Sequence, residues 1–114
     1  MRGPLTHLDL QIMVNLARRP SHGYELMRDI AALSEGRIKA GPGSLYVAIS
    51  RLVQAGLVKE VTPLRAAPRP RRTYAITSSG ISVMEDELAR LQRIVMQATK
   101  EGWLPTPTVA AALS

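Results

Sequence analysis

Residues 40–58, AGPGSLYVAISRLVQAGLV, constrain the fold of this chain more than any other stretch. Pro42 is suited to the first turn of a helix and Gly56 to the residue after its last turn. Apolar residues recur between them at helical spacing, namely Leu45, Ile49, Leu52 and Val53. The opposite face is short-chained, polar and cationic, and consists of Ser44, Val47, Ser50, Arg51 and Gln54. Such an outer face favours a helix that enters a DNA major groove.

A basic turn between two short strands follows this helix. Residues 57–61 read as the first strand, and residues 72–77 as the second, where Tyr74 and Ile76 alternate with smaller or polar residues. The segment between them contains three prolines, which disfavour ladder hydrogen bonds. Its arginines, and the one just after it, are Arg65, Arg69, Arg71 and Arg72. A helix, a strand, a basic turn and a second strand predict a winged helix-turn-helix with its wing at residues 62–70.

Two further helices are predicted before this unit. Thr6 is a good cap for the first, and Asp9 lies three residues later as in a capping box. This helix is apolar on two sides, which predicts packing against its own domain and against a partner helix. The second helix is expected at residues 22–33, capped by Ser21, and Gly36 is a natural left-handed residue after it. Its expected inner face is Tyr24, Met27, Ile30 and Ala31.

A last long helix is predicted at residues 80–101, capped by Thr77 or Ser78. Its apolar residues are spaced 3, 4, 3, 4 and 3 apart, namely Ile81, Met84, Leu88, Leu91, Val95 and Ala98. This is the seam of a coiled-coil-like contact, and a second copy of the chain is the expected partner. Packing onto the first helix of the same chain is the alternative. The predicted fold is therefore mainly α with a small β-hairpin wing: a winged helix-turn-helix domain over residues 1–77, a C-terminal dimerisation helix over 78–102 and a tail over 103–114.

The composition narrows the classes of function. Lys plus Arg number 15 against 9 for Asp plus Glu, a net charge of +6, which favours nucleic acid as a partner. With no cysteine, thiol catalysis, disulfides and cysteine-bound metals are excluded, and neither His7 nor His22 has a neighbour at metal-ligand spacing. The sequence contains no nucleophile elbow, phosphate loop or dinucleotide fingerprint. We therefore expect neither an enzyme nor a cofactor. Without a membrane-spanning or signal segment, a cytoplasmic location is expected.

The chain resembles the PadR family of transcriptional regulators, in its short form with one C-terminal dimerisation helix. The match is carried by HGYEL at residues 22–26, PGSLY at 42–46, Arg51–Leu52, and RRTYAIT at 71–77 followed by Gly80. It extends over about residues 5–95. The resemblance implies a homodimer that binds a near-palindromic operator in double-stranded DNA and represses transcription. It also implies a small hydrophobic or aromatic effector that binds near the dimer interface and lowers the affinity for DNA.

The chain departs from the family pattern at two places. Val47 stands where the family commonly has proline, and the wing tip LRAAPRPRR lacks the glycines that the family often has there. The first departure alters a contact that could involve thymine methyl groups or the DNA backbone. The second predicts a stiffer, more cationic tip whose contacts should still be to phosphates.

Three sets of candidate site residues follow from the pattern and the resemblance. The expected DNA contacts are Lys39, Ser44, Tyr46, Val47, Ser50, Arg51, Arg69, Arg71 and Arg72. The expected dimer contacts are Leu8, Ile12, Ile81, Met84, Leu88, Leu91, Val95 and Ala98. An effector pocket, if present, would be lined by Leu8, Ile12, Val14, Leu88, Leu91 and Val95. For Arg51 the alternative is an ion pair with an acid such as Glu60, and for Tyr46 it is packing beneath the wing. Trp103 would line such a pocket or anchor the tail.

The sequence favours a dimeric repressor over two rivals. A winged helix used only for protein interaction would have an apolar outer face on its third helix, and Ser44, Ser50, Arg51 and Gln54 argue against it. A small-molecule sensor that does not bind DNA would have no use for the wing arginines. The operator, the regulated genes and the effector are not specified by the sequence.

Overall fold

The computed structural model describes residues 5–38, 40–61 and 72–106. In these residues it has four helices and a small antiparallel sheet. In chain order they are α1 (His7–Arg18), β1 (Ser21–His22), α2 (Gly23–Leu33), α3 (Pro42–Gln54), β2 (Val58–Val61), β3 (Thr73–Ile76) and α4 (Ser78–Lys100). This architecture confirms the predicted mainly α fold with a winged helix and a long C-terminal helix. The chain divides into two compact units, Met1–Met84 and Glu85–Ser114.

Side chains cap α1, α2 and α4 at their N-termini. Thr6 and Asp9 form the predicted capping box, with both hydrogen bonds at 3.0 Å. The Thr77 hydroxyl accepts a hydrogen bond from the Gly80 amide at 3.0 Å, which confirms its capping role. The start of α2 is a correction, because His22, and not Ser21, is its cap. The Glu25 amide donates to His22 Nδ1 at 3.3 Å, and Gly23 is the first helical residue.

Left-handed residues end α2 and α3. Gly56 has φ 76° after α3, as predicted. After α2 the predicted Gly36 is left-handed with φ 78°, but the preceding Glu35 is left-handed too, with φ 56°. The Glu35 amide donates to the Ala32 carbonyl at 3.2 Å, and the Gly36 amide to the Ala31 carbonyl at 2.7 Å. These two bonds form a Schellman motif in which glutamate has the position that glycine usually takes.

The core of the first unit lies between α1, α2, α3 and the sheet. Its buried residues include Ile12, Met13, Leu16, Leu26, Ile30, Leu45, Ile49, Leu52, Val58 and Tyr74. Two predicted inner residues are outside it: Tyr24 is 61% exposed and Val53 is 39% exposed. Tyr24 precedes Leu26 by two residues, or about 200° around the helix, so the two side chains cannot share a face. Val53 is turned away from the buried Leu52 by about 100° for the same reason.

The sheet contains a strand that the sequence analysis missed. β3 lies in the centre and pairs antiparallel with both β2 and β1. β1 has only two residues, and its register joins Ser21 to Tyr74 and His22 to Thr73. Residues 21 and 22 were expected as the start of a helix, and so short a strand has no period that could reveal it. Because β1 leads directly into α2, this pairing holds the start of α2 beside β3. The predicted wing at residues 62–70 lies outside the described residues.

The first turns of α4 belong to the first unit. A Cβ on Gly80 would lie 2.1 Å from the Leu57 carbonyl oxygen, so α4 begins in close contact with the backbone just before β2. Met84 is only 8% exposed and belongs to the core, and Ile81 packs against the core. Ile12 is fully buried. Ile12 and Met84, both predicted dimer contacts, are thus buried in the core of the first unit, and their part in dimerisation stays a prediction.

The second unit contains the rest of α4 and the turn after it. Of the predicted seam, Leu88, Leu91 and Val95 are exposed by 40%, 38% and 48%. Gly102, with φ 83°, ends the helix, and Trp103 after it is 75% exposed. Within residues 5–38, 40–61 and 72–106, no helix is both long enough and apolar enough to cross a membrane.

Candidate nucleic-acid interface

One face of α3 is exposed along its whole length. Its buried side is made by Leu45, Ala48, Ile49 and Leu52. The exposed side contains the five residues predicted for it, Ser44, Val47, Ser50, Arg51 and Gln54. No acidic residue lies in the first turn of α3, and no side chain caps it. The leading end of the helix therefore presents short side chains and carries no negative charge that would repel a phosphate backbone.

Tyr46 connects the first turn of α3 with the start of α2. A Cβ on Gly23 would lie 2.3 Å from the Tyr46 hydroxyl oxygen, so the ring rests directly on the glycine. Tyr46 nevertheless remains 43% exposed. Packing and contact with DNA, the two alternatives for Tyr46, are thus compatible. Its packing partner is α2. A cleft of about 500 Å³ opens here, lined by His22, Gly23, Tyr24, Tyr46 and Arg72.

Tyr24 and Arg28 extend this surface along α2, and the sequence analysis missed both. The Arg28 guanidinium carbon lies 5.9 Å from the centre of the Tyr24 ring, a cation–π contact. The His22 and Tyr24 ring centres are 6.5 Å apart, with 28° between the ring planes. An arginine four residues after a tyrosine lies on the same helical face, and this spacing is the signal that could have revealed the pair.

Arg72 and Arg51 each form an ion pair, and the acid paired with Arg51 is not the one suggested from the sequence. Arg72 Nε lies 3.8 Å from Glu60 Oε1, and the Arg72 side chain is 75% exposed. So exposed a pair is weak, which leaves the cation able to bind another anion. The acid suggested for Arg51 was Glu60, whereas the structure pairs Arg51 Nη2 with Asp9 Oδ1 at 3.1 Å. The Asp9 side chain is fully buried.

The predicted effector pocket and part of the predicted DNA contact surface remain predictions. Lys39, Arg69 and Arg71 lie outside the described residues. Of the residues predicted to line an effector pocket, Ile12 is inside the core of the first unit. Leu8 and Val14 are partly buried against that core. Among the described residues, no group of three or more His, Cys, Asp or Glu side chains could hold a metal ion.

Comparison with known sequences identifies relatives of this chain. The model of the family described as "Transcriptional regulator PadR-like family" matches residues 12–86. The chain is 29% identical over 87 residues to the transcriptional regulator YqjI of Escherichia coli (strain K12). The matched region covers 76% of this chain and 40% of YqjI, so the chain spans less than half the length of that relative.

Solved structures share the fold at lower identity. A transcriptional regulator from Clostridium thermocellum superposes with a TM-score of 0.71 at 23% identity, over 82% of this chain and 88% of that one. Bacillus subtilis PadR in complex with operator DNA superposes with a TM-score of 0.65 at 20% identity. That match covers 75% of this chain and 48% of PadR.

Proposed function

Because the chain belongs to the PadR-like family of transcriptional regulators, which are DNA-binding proteins and not enzymes, we propose that it binds a specific duplex operator through α3. The observation that carries this proposal is the exposed face of α3, which is polar or cationic apart from Val47 and contains no acid. A similar fold occurs in Bacillus subtilis PadR, whose structure contains operator DNA.

The exposed face of α3 reads the bases. Ser44 and Ser50 can donate to or accept from base edges, and the exposed Val47 offers an apolar surface to a thymine methyl group. Cationic side chains outside α3 bind phosphates and set the register without reading sequence. Arg72 is the described member of this group, and Lys39, Arg69 and Arg71 are its other predicted members.

The cleft beside Tyr46 receives one backbone phosphate. Its polar groups suit an anion, since Tyr24 and Tyr46 supply hydroxyl donors and Arg72 supplies a guanidinium. The exposed Arg28, held on the ring of Tyr24, adds a second cation at the edge. In helix-turn-helix proteins the helix before the recognition helix crosses the DNA backbone, which agrees with such a role for α2.

A second copy of the chain completes the binding site. The exposed seam residues of α4, Leu88, Leu91 and Val95, together with Ala98, support a helix-to-helix contact between two copies. Two α3 helices related by this contact would read half-sites about 34 Å apart, hence a near-palindromic operator. The dimer represses transcription, and a small hydrophobic or aromatic effector relieves binding. Such an effector acts only if it binds the free and DNA-bound arrangements with different affinities.

Selection from a random duplex library, followed by fluorescence anisotropy, tests this function. We expect one enriched near-palindromic sequence that binds tightly in the presence of competitor DNA. Its affinity should fall steeply between two salt concentrations, by about 0.9 logarithmic units per phosphate contact for each tenfold rise in salt. Enrichment of no sequence would contradict operator binding. It would favour a winged helix that binds protein partners.

A further inference from the structure

Asp9 joins the first turn of α1 to the helix proposed to read DNA. Its Oδ2 accepts a hydrogen bond from the Thr6 amide at 3.0 Å, which closes the cap of α1. Its Oδ1 accepts from Arg51 Nη2 at 3.1 Å, across 42 residues of sequence. The carboxylate has no exposed surface. Burying an unpaired charge is costly, so this carboxylate depends on both partners.

The Arg51 side chain bonds to Asp9 inside the protein and is also partly exposed to solvent. Its side chain is 47% exposed, and it lies on the outer face of α3 one residue after Ser50. Arg51 was predicted to contact DNA because it belongs to the outer face of the third helix. With Nη2 committed to Asp9, however, the position of the guanidinium is set by α1.

The Asp9–Arg51 pair adds a directional constraint on α3 to the apolar packing of the core. Leu45, Ile49 and Leu52 hold α3 by apolar contact, and the hydrophobic effect behind that contact is non-directional. A charged hydrogen bond is directional and distance-dependent, so it selects one rotation of α3 about its axis. Binding surfaces need their side chains held within about 0.5 Å and 10–20° of the productive geometry.

We propose, building on the function proposed above, that Asp9 is a positioning residue for DNA recognition. Through Arg51 it holds α3 at the rotation in which Ser44, Val47 and Ser50 meet the base edges together. Asp9 itself touches no DNA, and Arg51 acts mainly as its partner inside the protein. Loss of the pair therefore reduces discrimination between sequences, while the number of phosphate contacts stays the same.

Asp9→Asn separates this role from a direct DNA contact by Arg51. The amide oxygen can still accept from the Thr6 amide, so the cap of α1 is kept while the charge facing Arg51 is removed. If Arg51 contacted a phosphate, removing its competitor would release it and tighten binding. The substitution also raises the net charge by one, which by itself attracts DNA. Weakened binding with an unchanged salt slope is therefore the result expected if the pair positions α3.

Asp29→Asn is the matched control. It makes the same chemical change and the same change in net charge, but Asp29 pairs with Arg19, at 3.2 Å, and neither residue of that pair belongs to α3. Both variants are titrated with a duplex selected by the wild-type protein and with an unrelated duplex, at two salt concentrations. The temperature is one at which circular dichroism finds them fully folded.

We expect Asp9→Asn to bind the selected duplex roughly tenfold more weakly than Asp29→Asn, a loss comparable to one mismatched base pair. Its affinity for the unrelated duplex and its salt slope should match the control. Equal or tighter binding of the selected duplex by Asp9→Asn would overturn the proposal. So would a salt slope lower by about 0.9, because that is the loss of one phosphate contact.

Arg51→Lys supplies a second test if Asp9→Asn folds poorly. Lysine can replace arginine at a phosphate as a point charge, but it cannot reproduce the guanidinium geometry that orients α3. We expect lower preference for the selected duplex with an unchanged salt slope. Wild-type preference would overturn the proposal.

An amide NMR spectrum of Asp9→Asn gives a readout without DNA. Shifts that extend along α3 are expected, and shifts confined to the start of α1 would count against the proposal. Failure of the proposed function can be told apart from failure of the positioning role, because the wild-type protein itself would then select no duplex.

Discussion

Glu35 adopts a left-handed backbone conformation that glycine adopts more readily. Its φ of 56° lies in the left-handed region, where a Cβ crowds the following carbonyl oxygen. The two hydrogen bonds that close the end of α2 require this conformation. Glu35 is exposed, so its side chain contributes no burial to offset the strain.

Replacing Glu35 by glycine should stabilise the protein. Glycine adopts this conformation without strain, although it also gains freedom in the unfolded chain, so we expect about 0.5–1 kcal/mol more free energy of unfolding. Urea denaturation followed by circular dichroism measures the change. Arg37→Gly, at an exposed residue whose φ is not positive, is the control and should be neutral or destabilising. A loss of stability in Glu35→Gly would contradict this account of the turn.

At the scale of elements, α2 and α3 meet at one close contact, where Tyr46 rests on Gly23. The contact connects the two helices of the helix-turn-helix at the edge of the proposed phosphate cleft. Any side chain at residue 23 must displace the Tyr46 ring. The phenol is at the end of a side chain that can rotate, so the loss of stability should be moderate. It should also depend on the presence of the Tyr46 ring.

Gly23→Ala should therefore lower stability by about 1–2 kcal/mol through overpacking. In a Tyr46→Ala background the same change should be neutral or stabilising, because the obstacle is gone and alanine is the better helix former. A double-mutant cycle in urea measures this coupling. Gly43→Ala, in α3 with no atom within 4 Å of the added Cβ, is the control and should stabilise α3. Additive effects of the Gly23 and Tyr46 changes would contradict the packing role.

The sequence could predict the elements wherever short-range rules decide them. The caps at Thr6 and Thr77 and the end of α3 at Gly56 depend on neighbours within four residues, and the exposed face of α3 follows from its 3.6-residue period. β1 could not be predicted, since two residues carry no period. Tyr24 was misplaced because the inner face of α2 is set by Leu26 and Ile30. The Asp9–Arg51 pair joins residues 42 apart, and no local pattern encodes it.

At the scale of the whole molecule, the two compact units present different surfaces. The unit Met1–Met84 contains the core, the sheet and the proposed DNA-binding face, whereas Glu85–Ser114 contains the exposed α4 seam. Leu88, Leu91 and Val95 belong to the second unit and are exposed. Substitutions in the seam should therefore affect association without unfolding the winged helix.

Leu91→Asp should convert a dimer into monomers, because a buried charge without a partner is costly in an apolar seam. Sedimentation equilibrium measures the mass, and circular dichroism should report intact helices. Operator affinity should fall as well, since each half-site would then bind alone. Gln92→Asp introduces the same charge one residue away, off the seam, and should remain dimeric. An unchanged mass for Leu91→Asp would show that α4 does not mediate dimerisation through this face.

Trp103 can serve as an intrinsic fluorescence probe of the end of α4. It is the chain's sole tryptophan and is 75% exposed, while the core of the first unit contains none. Its emission should therefore be red-shifted and should change little when the winged helix unfolds. It should respond to whatever covers the end of α4. The chain also has no cysteine, so a single engineered thiol on α3 could carry an acceptor dye without background labelling. Trp103 and the dye would then report on the two units at separate emission wavelengths in one sample.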